Sequence, residues 1–492
     1  MGPPLHDEHV GALREALDAA GYLLEGVAEA LGRTGHSALA RNETTPGLRA
    51  TKGGSPVETL TRLWALQAPV DARDLDAALP GLTGPLEAAG MLQRVGSVVR
   101  ALVDIRPYAD DDHDWWVVSD LTPGLDGTPN RVPADHVLGI SSASTSLAQL
   151  TVRRPVERAL DLGTGCGVQA LHLATHADRV VATDVNPRAL RMAHLTAGLN
   201  GVPLDLRQGS LFDPVAGEEF DLVVSNPPFV VSPGTGDLLT YRDSGLAGDE
   251  MVRRVVAGAA ACLRPGGVAQ VLANWVHAAG EPWEERVGGW VAATGCDAWV
   301  VQREVADVAQ YVELWLRDAG LDREPAYTQR YDAWATWFDH EGIEGVGFGW
   351  LALRRSGREA PLVRLEPWPY EVEQPLGPEI AAWERRTELL AQLADDQVLS
   401  VRWRIRPDVQ QESIGPPGAP DPERIVLRQQ RGMRRARQVD TVGAALAGAS
   451  DGDLSAGQIL AAVASLLELP PQPPGDQAEL VRSLVAEGFL VP

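Results

Sequence analysis

Between about residues 135 and 355 the chain alternates β-rich runs with helical ones, and this order constrains the fold more than any other feature of the sequence. The β-rich runs are RALDLG, RVVATD, LDLRQ, FDLVVSN, VAQVLAN, CDAWVVQ and VGFGWLALRR, and stretches with helical periodicity separate most of them. Such alternation calls for a mainly parallel, doubly wound α/β sheet.

The chain has 492 residues, more than one ordinary core accommodates, so modules are expected on both sides of that sheet. Three regions are expected. Residues 1–134 are an N-terminal helical and winged-helix-like substrate-recognition module, 135–355 the α/β domain, and 356–492 a C-terminal module with an arginine-rich segment and a winged-helix-like tail. The first thirty residues carry Leu13, Ala16, Leu17, Ala20, Leu23, Leu24 and Val27 at helical spacing, an amphipathic helix. Residues 42–55 read as a loop. Short helices and the β-prone VGSVVRALVDI follow in winged-helix order, and the acidic Asp110, Asp111, Asp112 and Asp114 read as the tip of a hairpin. LVAEGFL near the end echoes LEAAGML at 86–92; in both, a glycine would close a helix and return the chain to an extended segment.

In RALDLGTGCGVQALHL an apolar strand ends at Asp161 and a helix begins near Val168, with Gly163, Gly165 and Gly167 between them. Without Cβ atoms, such a turn lets a ligand lie against backbone amides at a helix N-terminus. Dinucleotide-binding turns use a related arrangement, but here the third glycine comes one residue early and an acid precedes the turn. The next β-like run ends at Asp184, about 20 residues beyond Gly163, where a carboxylate at the adjacent strand end can accept both ribose hydroxyl hydrogens. Together the two features indicate a nucleoside cofactor.

FDLVVSNPPFVVSP ends a buried strand in Asn226, two prolines and an aromatic ring. Pro227 and Pro228 forbid helix and donate no ladder hydrogen bond, so they hold the asparagine rigid just beyond the strand. Its side-chain oxygen and the Pro227 carbonyl can each accept a hydrogen bond from an NH2 group, while Phe229 offers a face to a planar one. That set suits methylation of an amide or aromatic amine, whose lone pair is delocalised. The same residues also make an ordinary structural turn.

DLGTGCG, TDVNP and NPPF, in this order and spacing, resemble the class I S-adenosylmethionine-dependent methyltransferases with an NPP[FY] motif. That group includes release-factor glutamine methyltransferases, ribosomal RNA guanine-N2 methyltransferases and adenine-amine methyltransferases. The resemblance covers about residues 135–355 and implies a Rossmann-like methyltransferase sheet, mostly parallel with one antiparallel strand. It implies S-adenosyl-L-methionine as cofactor. Asp161, Gly163, Thr164, Gly165 and Gly167 would approach its methionine part and Asp184, Val185 and Asn186 its ribose. Asn226, Pro227, Pro228 and Phe229 would hold the acceptor nitrogen, Asn226 also touching the cofactor. Where many relatives place an aspartate against the adenine amine, this chain has Ser210-Leu211-Phe212, leaving the contact to Ser210 and Leu211 or to Asp213. The segment DHVLGISSASTSLAQL (135–150) is expected to cover the cofactor, though its hydroxyls could serve as helix caps.

No apolar run reaches the roughly 18 residues that span a bilayer, and the opening residues lack a secretory pattern, so no membrane association and a cytoplasmic location are expected. Cys166, Cys262 and Cys296 match neither a disulfide framework nor a zinc cluster, and His136, His172, His176 and His194 lack metal-ligand spacing, so no metal is expected. A net charge of -24 argues against general nucleic-acid binding. Against that background, RIVLRQQRGMRRARQV (424–439) is a concentrated basic segment free of acids. It reads either as a solvated face or as a nucleic-acid contact, with Arg431, Arg434 and Arg435 as candidate substrate-binding residues. Tyr327, Tyr331, Trp334, Trp337 and Phe338 could stack a base but have the spacing of a packed helix face. The preferred acceptor is a base amino group in RNA, with RNA or the ribosome as partner. A protein glutamine is the alternative, then a small molecule; the oligomeric state is left open.

Overall fold

A computed structural model of the chain describes residues 3–127, 132–234, 245–321, 324–417, 422–470 and 473–492. It divides into two compact units, Met1–Ala148 with Arg154–Trp368, and Gln149–Arg153 with Pro369–Pro492.

The first unit is built on an eight-stranded sheet, with strands β1 (Val156–Leu162), β2 (Ala177–Asp184), β3 (Asp205–Gln208), β4 (Phe220–Ser225), β5 (Leu263–Ala278), β6 (Asp297–Asp307), β7 (Ile343–Arg354) and β8 (Val363–Pro367). Their spatial order is β8-β6-β7-β5-β4-β1-β2-β3. β1 to β5 run parallel, while β7 lies antiparallel between β5 and β6. Helices α1 (Val168–Ala174), α2 (Pro187–Asn200), α3 (Glu250–Ala261), α4 (Trp283–Ala292), α5 (Val308–Asp318) and α6 (Tyr327–Glu341) connect or flank the strands. The central strands read as continuous apolar runs because both faces are covered: Ala159, Leu160, Leu162 and Leu222 to Val224 are all buried. The parallel sheet with one antiparallel strand is the fold expected from the sequence.

β8 was not anticipated. It pairs with β6 at the sheet edge, and its VRLEP sequence carries the charges and terminal proline typical of an edge strand rather than the apolar run of an interior one. Because β8 belongs to the sheet, the unit closes at Trp368 and not near 355. On the other side, residue 134 does not separate two compact units. Leu13, Leu17, Trp64, Leu86, Val99 and Val118 share one apolar core with Met192, Leu195 and Leu199 of α2. The hairpin Asp104–Ala109 and Asp114–Ser119 is fastened to α2 as well: Asn200 Oδ1 accepts from the Trp116 amide at 3.0 Å and Thr196 Oγ1 from that of Val118 at 2.9 Å. Side chains of α2 thus satisfy backbone donors that would otherwise be buried without partners.

The N-terminal residues are not one helix: Asp7–Ala19 and Leu24–Leu39 are separated where Gly21 takes a φ of 65°, and the second is itself broken at Gly32, with a φ of 62°. Residues 45–50 are helical rather than loop. Short helices alternate with the strands of a three-stranded sheet, Val70–Asp71 coming before helices Ala72–Ala78 and Thr83–Ala88, and Leu92–Val95 and Val98–Ala101 after them. The acidic cluster is a hairpin tip, where Asp110 Oδ1 accepts the backbone amides of Asp112 and His113.

In the second unit the strands Val409–Ile414, Arg424–Gln429 and Ala436–Val439 make an antiparallel sheet. Helices Gly377–Gln392, Asp395–Ser400, Thr441–Ala449, Ala456–Leu466 and Pro474–Ala486 complete the unit. Trp403, Leu446, Ile459, Leu484 and Phe489 lie in its core. The two echoing segments close alike. Gly90 and Gly488 have φ of 69° and 80°, and the amides of Met91 and Phe489 donate to the carbonyls of Leu86 and Leu484. No described helix is long and apolar enough to cross a membrane.

Candidate active site

The carboxyl ends of β1, β2 and β4 adjoin one another in the sheet, and the residues singled out from the sequence gather there. β1 continues to Leu162, after which the amides of Gly163 and Thr164 both donate to the Thr183 carbonyl of β2 at 2.9 Å. Gly163, Gly165 and Gly167 take φ of 76°, 56° and 85°, the left-handed region that side chains other than glycine rarely adopt. At Gly167 a Cβ would also come within 3.2 Å of the Ala193 backbone, so this glycine lets α1 pack on α2. A Cβ at Gly163 or Gly165 would meet nothing within 4 Å. The face of the turn is open to a ligand, with the first amides of α1 behind it.

Two carboxylates flank this turn. Asp161 is buried, its Oδ2 accepting from Thr164 Oγ1 at 2.6 Å. Burial, reinforced by the nearby Asp184 charge and opposed by the Thr164 hydrogen bond, pushes its carboxyl up to about 7. Asp184 Oδ2 accepts the Gly165 amide at 2.9 Å and Oδ1 the Asn186 amide at 2.8 Å. Burial raises the pKa of Asp184 too, against those backbone hydrogen bonds. Each Asp184 oxygen keeps a lone pair for a further donor, which is what a vicinal diol requires. Val185 is exposed beside it.

Asn186 caps α2 by accepting the Arg188 amide at 2.9 Å, and its Nδ2 donates to the Asp135 carbonyl at 2.9 Å. That bond ties the start of segment 135–150 to the end of β2. A second tie went unnoticed in the sequence: Asp120 accepts from the Val137 amide at 2.8 Å and from the Arg188 guanidinium through both oxygens. Further along, the Ser144 carbonyl accepts from Gln169 Nε2 of α1 at 2.6 Å. The segment therefore runs beside α1, which starts at the candidate cofactor turn, and beside the start of α2 after β2. Ser141 and Ser144 bond to each other at the start of helix Ser142–Leu150, so these hydroxyls do act as caps.

Asn226 follows the last residue of β4, where Ser225 Oγ donates to the Leu162 carbonyl at 2.9 Å and fixes β4 against β1. Pro227 is buried, and Phe229 is half-buried with its ring 6.4 Å from Trp315. The Val231 amide donates to the Tyr311 hydroxyl at 2.7 Å, anchoring the backbone after the turn to α5. Asn226 Oδ1 is buried and has no hydrogen-bond partner. A buried carbonyl oxygen in that state is costly unless a ligand supplies the donor.

The remaining candidates are placed differently from one another. Ser210 and Asp213 are exposed, and Leu211 has a φ of 47° while packing with Phe212 into the sheet's core. The Gly209 amide, donating to the Asp184 carbonyl at 3.1 Å, brings this stretch to the end of β2. Trp334 and Phe338 are buried in the core between α5, α6 and β7, so the aromatic series is a packed helix face. The arginine segment lies in the second unit, away from the residues above in the chain and in a different sheet. Four of its six arginines are ion-paired: Arg431 with Glu373 and Arg434 with Glu371, each at 3.1 Å, Arg437 with Glu487, and Arg428 with Glu412. Arg435 is only 6% exposed. Acids distant in sequence supply the partners, which is why the segment read as uncompensated. Among the described residues no group of three or more His, Cys, Asp or Glu side chains is placed to hold a metal ion.

Residues 139–290, which contain the turn, Asp184 and Asn226, match the family described as methyltransferase small domain. This segment is a methyltransferase small domain. Residues 19–102, ahead of it, match a domain of unknown function, DUF7059. The methyltransferase domain is similar to the release factor glutamine methyltransferase of Deinococcus radiodurans, 38% identical over 145 residues, which are 27% of this chain and 52% of that protein. It is 35% identical over 125 residues to the ribosomal protein uL3 glutamine methyltransferase of Bradyrhizobium diazoefficiens, covering 23% of this chain and 39% of that one. With the ribosomal RNA small subunit methyltransferase C of Alcanivorax borkumensis it shares 32% identity over 117 residues, covering 24% and 32%. The chain spans about half the length of the first curated relatives it matches. The cofactor of a methyltransferase domain of this kind is S-adenosylmethionine. The open glycine turn, the Asp184 oxygens and the unpartnered Asn226 oxygen fit such a cofactor with an acceptor beside it.

Proposed function

We propose that the protein is an S-adenosylmethionine-dependent N-methyltransferase whose acceptor is a planar nitrogen bearing N–H groups. The observation that carries this reading is the buried, unpartnered Oδ1 of Asn226 at the end of β4, next to the glycine turn of β1. Asp161, Gly163, Thr164, Gly165 and Gly167 hold the amino-acid end of the cofactor, Asp184, Val185 and Asn186 the ribose, and Ser210 and Leu211 border the base. When bound, the cofactor supplies an electrophilic methyl group on a sulfonium. Asn226 Oδ1 and the Pro227 carbonyl accept hydrogen bonds from the acceptor NH2, which localises its lone pair and orients it for in-line attack. Pro228 keeps the turn rigid, and Phe229 packs against the planar group.

For the acceptor, the ion pairs of Arg428, Arg431, Arg434 and Arg437 weaken the main sequence argument for RNA, and the net charge of -24 suits a basic protein partner. A glutamine side-chain amide in a protein of the translation machinery is therefore the first reading, in line with the names of two of the relatives above. A base amino group in ribosomal RNA is the second, supported by the likeness to methyltransferase C. Extract from cells lacking the protein, incubated with purified protein and methyl-labelled S-adenosylmethionine, distinguishes them. Release of label by protease supports the first reading, and release by nuclease the second. Absence of transfer to any fraction would sink the enzymatic reading.

A further inference from the structure

β5 continues past the point where β4 ends. The last β4–β5 pair is Ser225 with Val271, so Asn226 opens its turn while β5 runs on through Asn274 to Ala278. Side chains alternate along a strand, which puts Asn274 on the same face as Val268, Leu272 and Val276. Across from Val268, Leu222 of β4 belongs with it to one apolar cluster that also contains Val224, two residues before Asn226. On its other side Asn274 is paired in register with Phe348 of β7. Phe348 packs with Phe229, Val230, Val231 and Val276 in one cluster, and the Tyr311 ring that lies 5.8 Å from Phe348 carries the hydroxyl bonded to the Val231 amide. Asn274 is thus flanked on the β7 side, and followed along β5 at Val276, by residues that pack in one cluster with Phe229 of the turn. It is 2% exposed, and its Nδ2 has no hydrogen-bond partner.

Two carboxamides, one in the turn and one on the neighbouring strand, therefore each keep a buried unpartnered atom, an acceptor on Asn226 and a donor on Asn274. An unpaired buried amide destabilises a fold, and an apolar residue of the same shape would avoid that cost. We infer that Asn274 is a specificity-determining residue whose Nδ2–H donates to an acceptor atom on the carbon that bears the methylated nitrogen. This rests on the acceptor role of Asn226 given above. The substrate group is then O=C–NH2 or N=C–NH2, an amino nitrogen with an acceptor next to it, and not a simple amine. A glutamine amide has this pattern, and so does a base amino group beside a ring nitrogen.

Asn274→Leu in the full chain tests the inference, with benzamide and aniline as probes in the presence of S-adenosylhomocysteine. Both probes carry a planar NH2, and only benzamide adds the neighbouring acceptor. By saturation-transfer NMR the unaltered protein should bind benzamide about tenfold more tightly than aniline, and the variant should lose that preference. Its S-adenosylmethionine affinity should stay within about twofold, and its Tm should hold or rise because an unpaired donor has gone. If leucine crowds the site, the smaller Asn274→Ala carries the same comparison. A preference that survives both substitutions, or its absence from the unaltered protein, would overturn the inference, and so would a collapse of Tm and cofactor affinity in both variants, which would make Asn274 structural. Failure of the methyltransferase reading would appear separately, as absence of label transfer by the unaltered protein.

Discussion

The Asn226–Phe229 turn and the arginine segment at 424–439 both stand out in the sequence as polar groups without local partners, and the structure treats them in opposite ways. At the turn, Asn226 Oδ1 is buried yet unpartnered while the backbone around it is held by Ser225, Pro227 and the Tyr311 hydroxyl. In the arginine segment four of the six charges are paired with Glu371, Glu373, Glu412 and Glu487 of the same unit. Under the proposed function, Asn226 Oδ1 is left for a donor from outside the chain, whereas most of the arginines find partners within it. Sequence isolation alone does not show that.

The largest effect expected from this contrast is at Asn226. Asn226→Ala should lower label transfer about 10²- to 10³-fold and leave S-adenosylmethionine affinity near that of the unaltered protein. Near-normal turnover would break the comparison from its stronger side.

Next in size, Asp184→Ala should raise the Kd for S-adenosylmethionine about 10- to 100-fold by calorimetry, since it removes a charged acceptor and frees the Gly165 and Asn186 amides. Unchanged affinity would move the ribose elsewhere.

Asp161 adds a pH dependence. Its carboxyl is raised to about 7 from an unfolded value of about 3.9, so its protonation stabilises the fold fully below about pH 4. That contribution is lost as pH rises through about 7. The Tm of cofactor-free protein should fall across this window by more than that of Asp161→Asn, and parallel profiles would refute the assignment. Because a cofactor ammonium favours the charged carboxylate, affinity should tighten by up to about tenfold per unit as pH rises towards 7.

The smallest effect is reserved for the arginines. With their charges already paired at the surface, Arg431→Ala and Arg434→Ala should each change label transfer by less than about threefold and leave its salt dependence as it was. A tenfold loss with a flatter salt response would erase the contrast between the two regions and restore RNA as the favoured acceptor.

The parallel sheet and the glycine turn could be read from the sequence because each rests on local rules, whereas the antiparallel strand was expected only from the family resemblance. Apolar runs of strand length mark β1, β2 and β4, glycines mark backbone with positive φ, and prolines mark the chain leaving β4. β8 escaped notice because an edge strand has no need of an apolar run, and the core shared by α2 and residues 13–118 because no local pattern announces which helix another covers. Asp120 with Arg188, and Tyr311 with Val231, hold the site through contacts between residues far apart in the chain. The sequence by itself determined the chemistry available at the ends of β1, β2 and β4. Only the tertiary structure decided which polar groups remain unsatisfied there, Asn226 and Asn274 among them, since hydrogen-bond satisfaction and charge pairing depend on neighbours that folding brings from elsewhere in the chain.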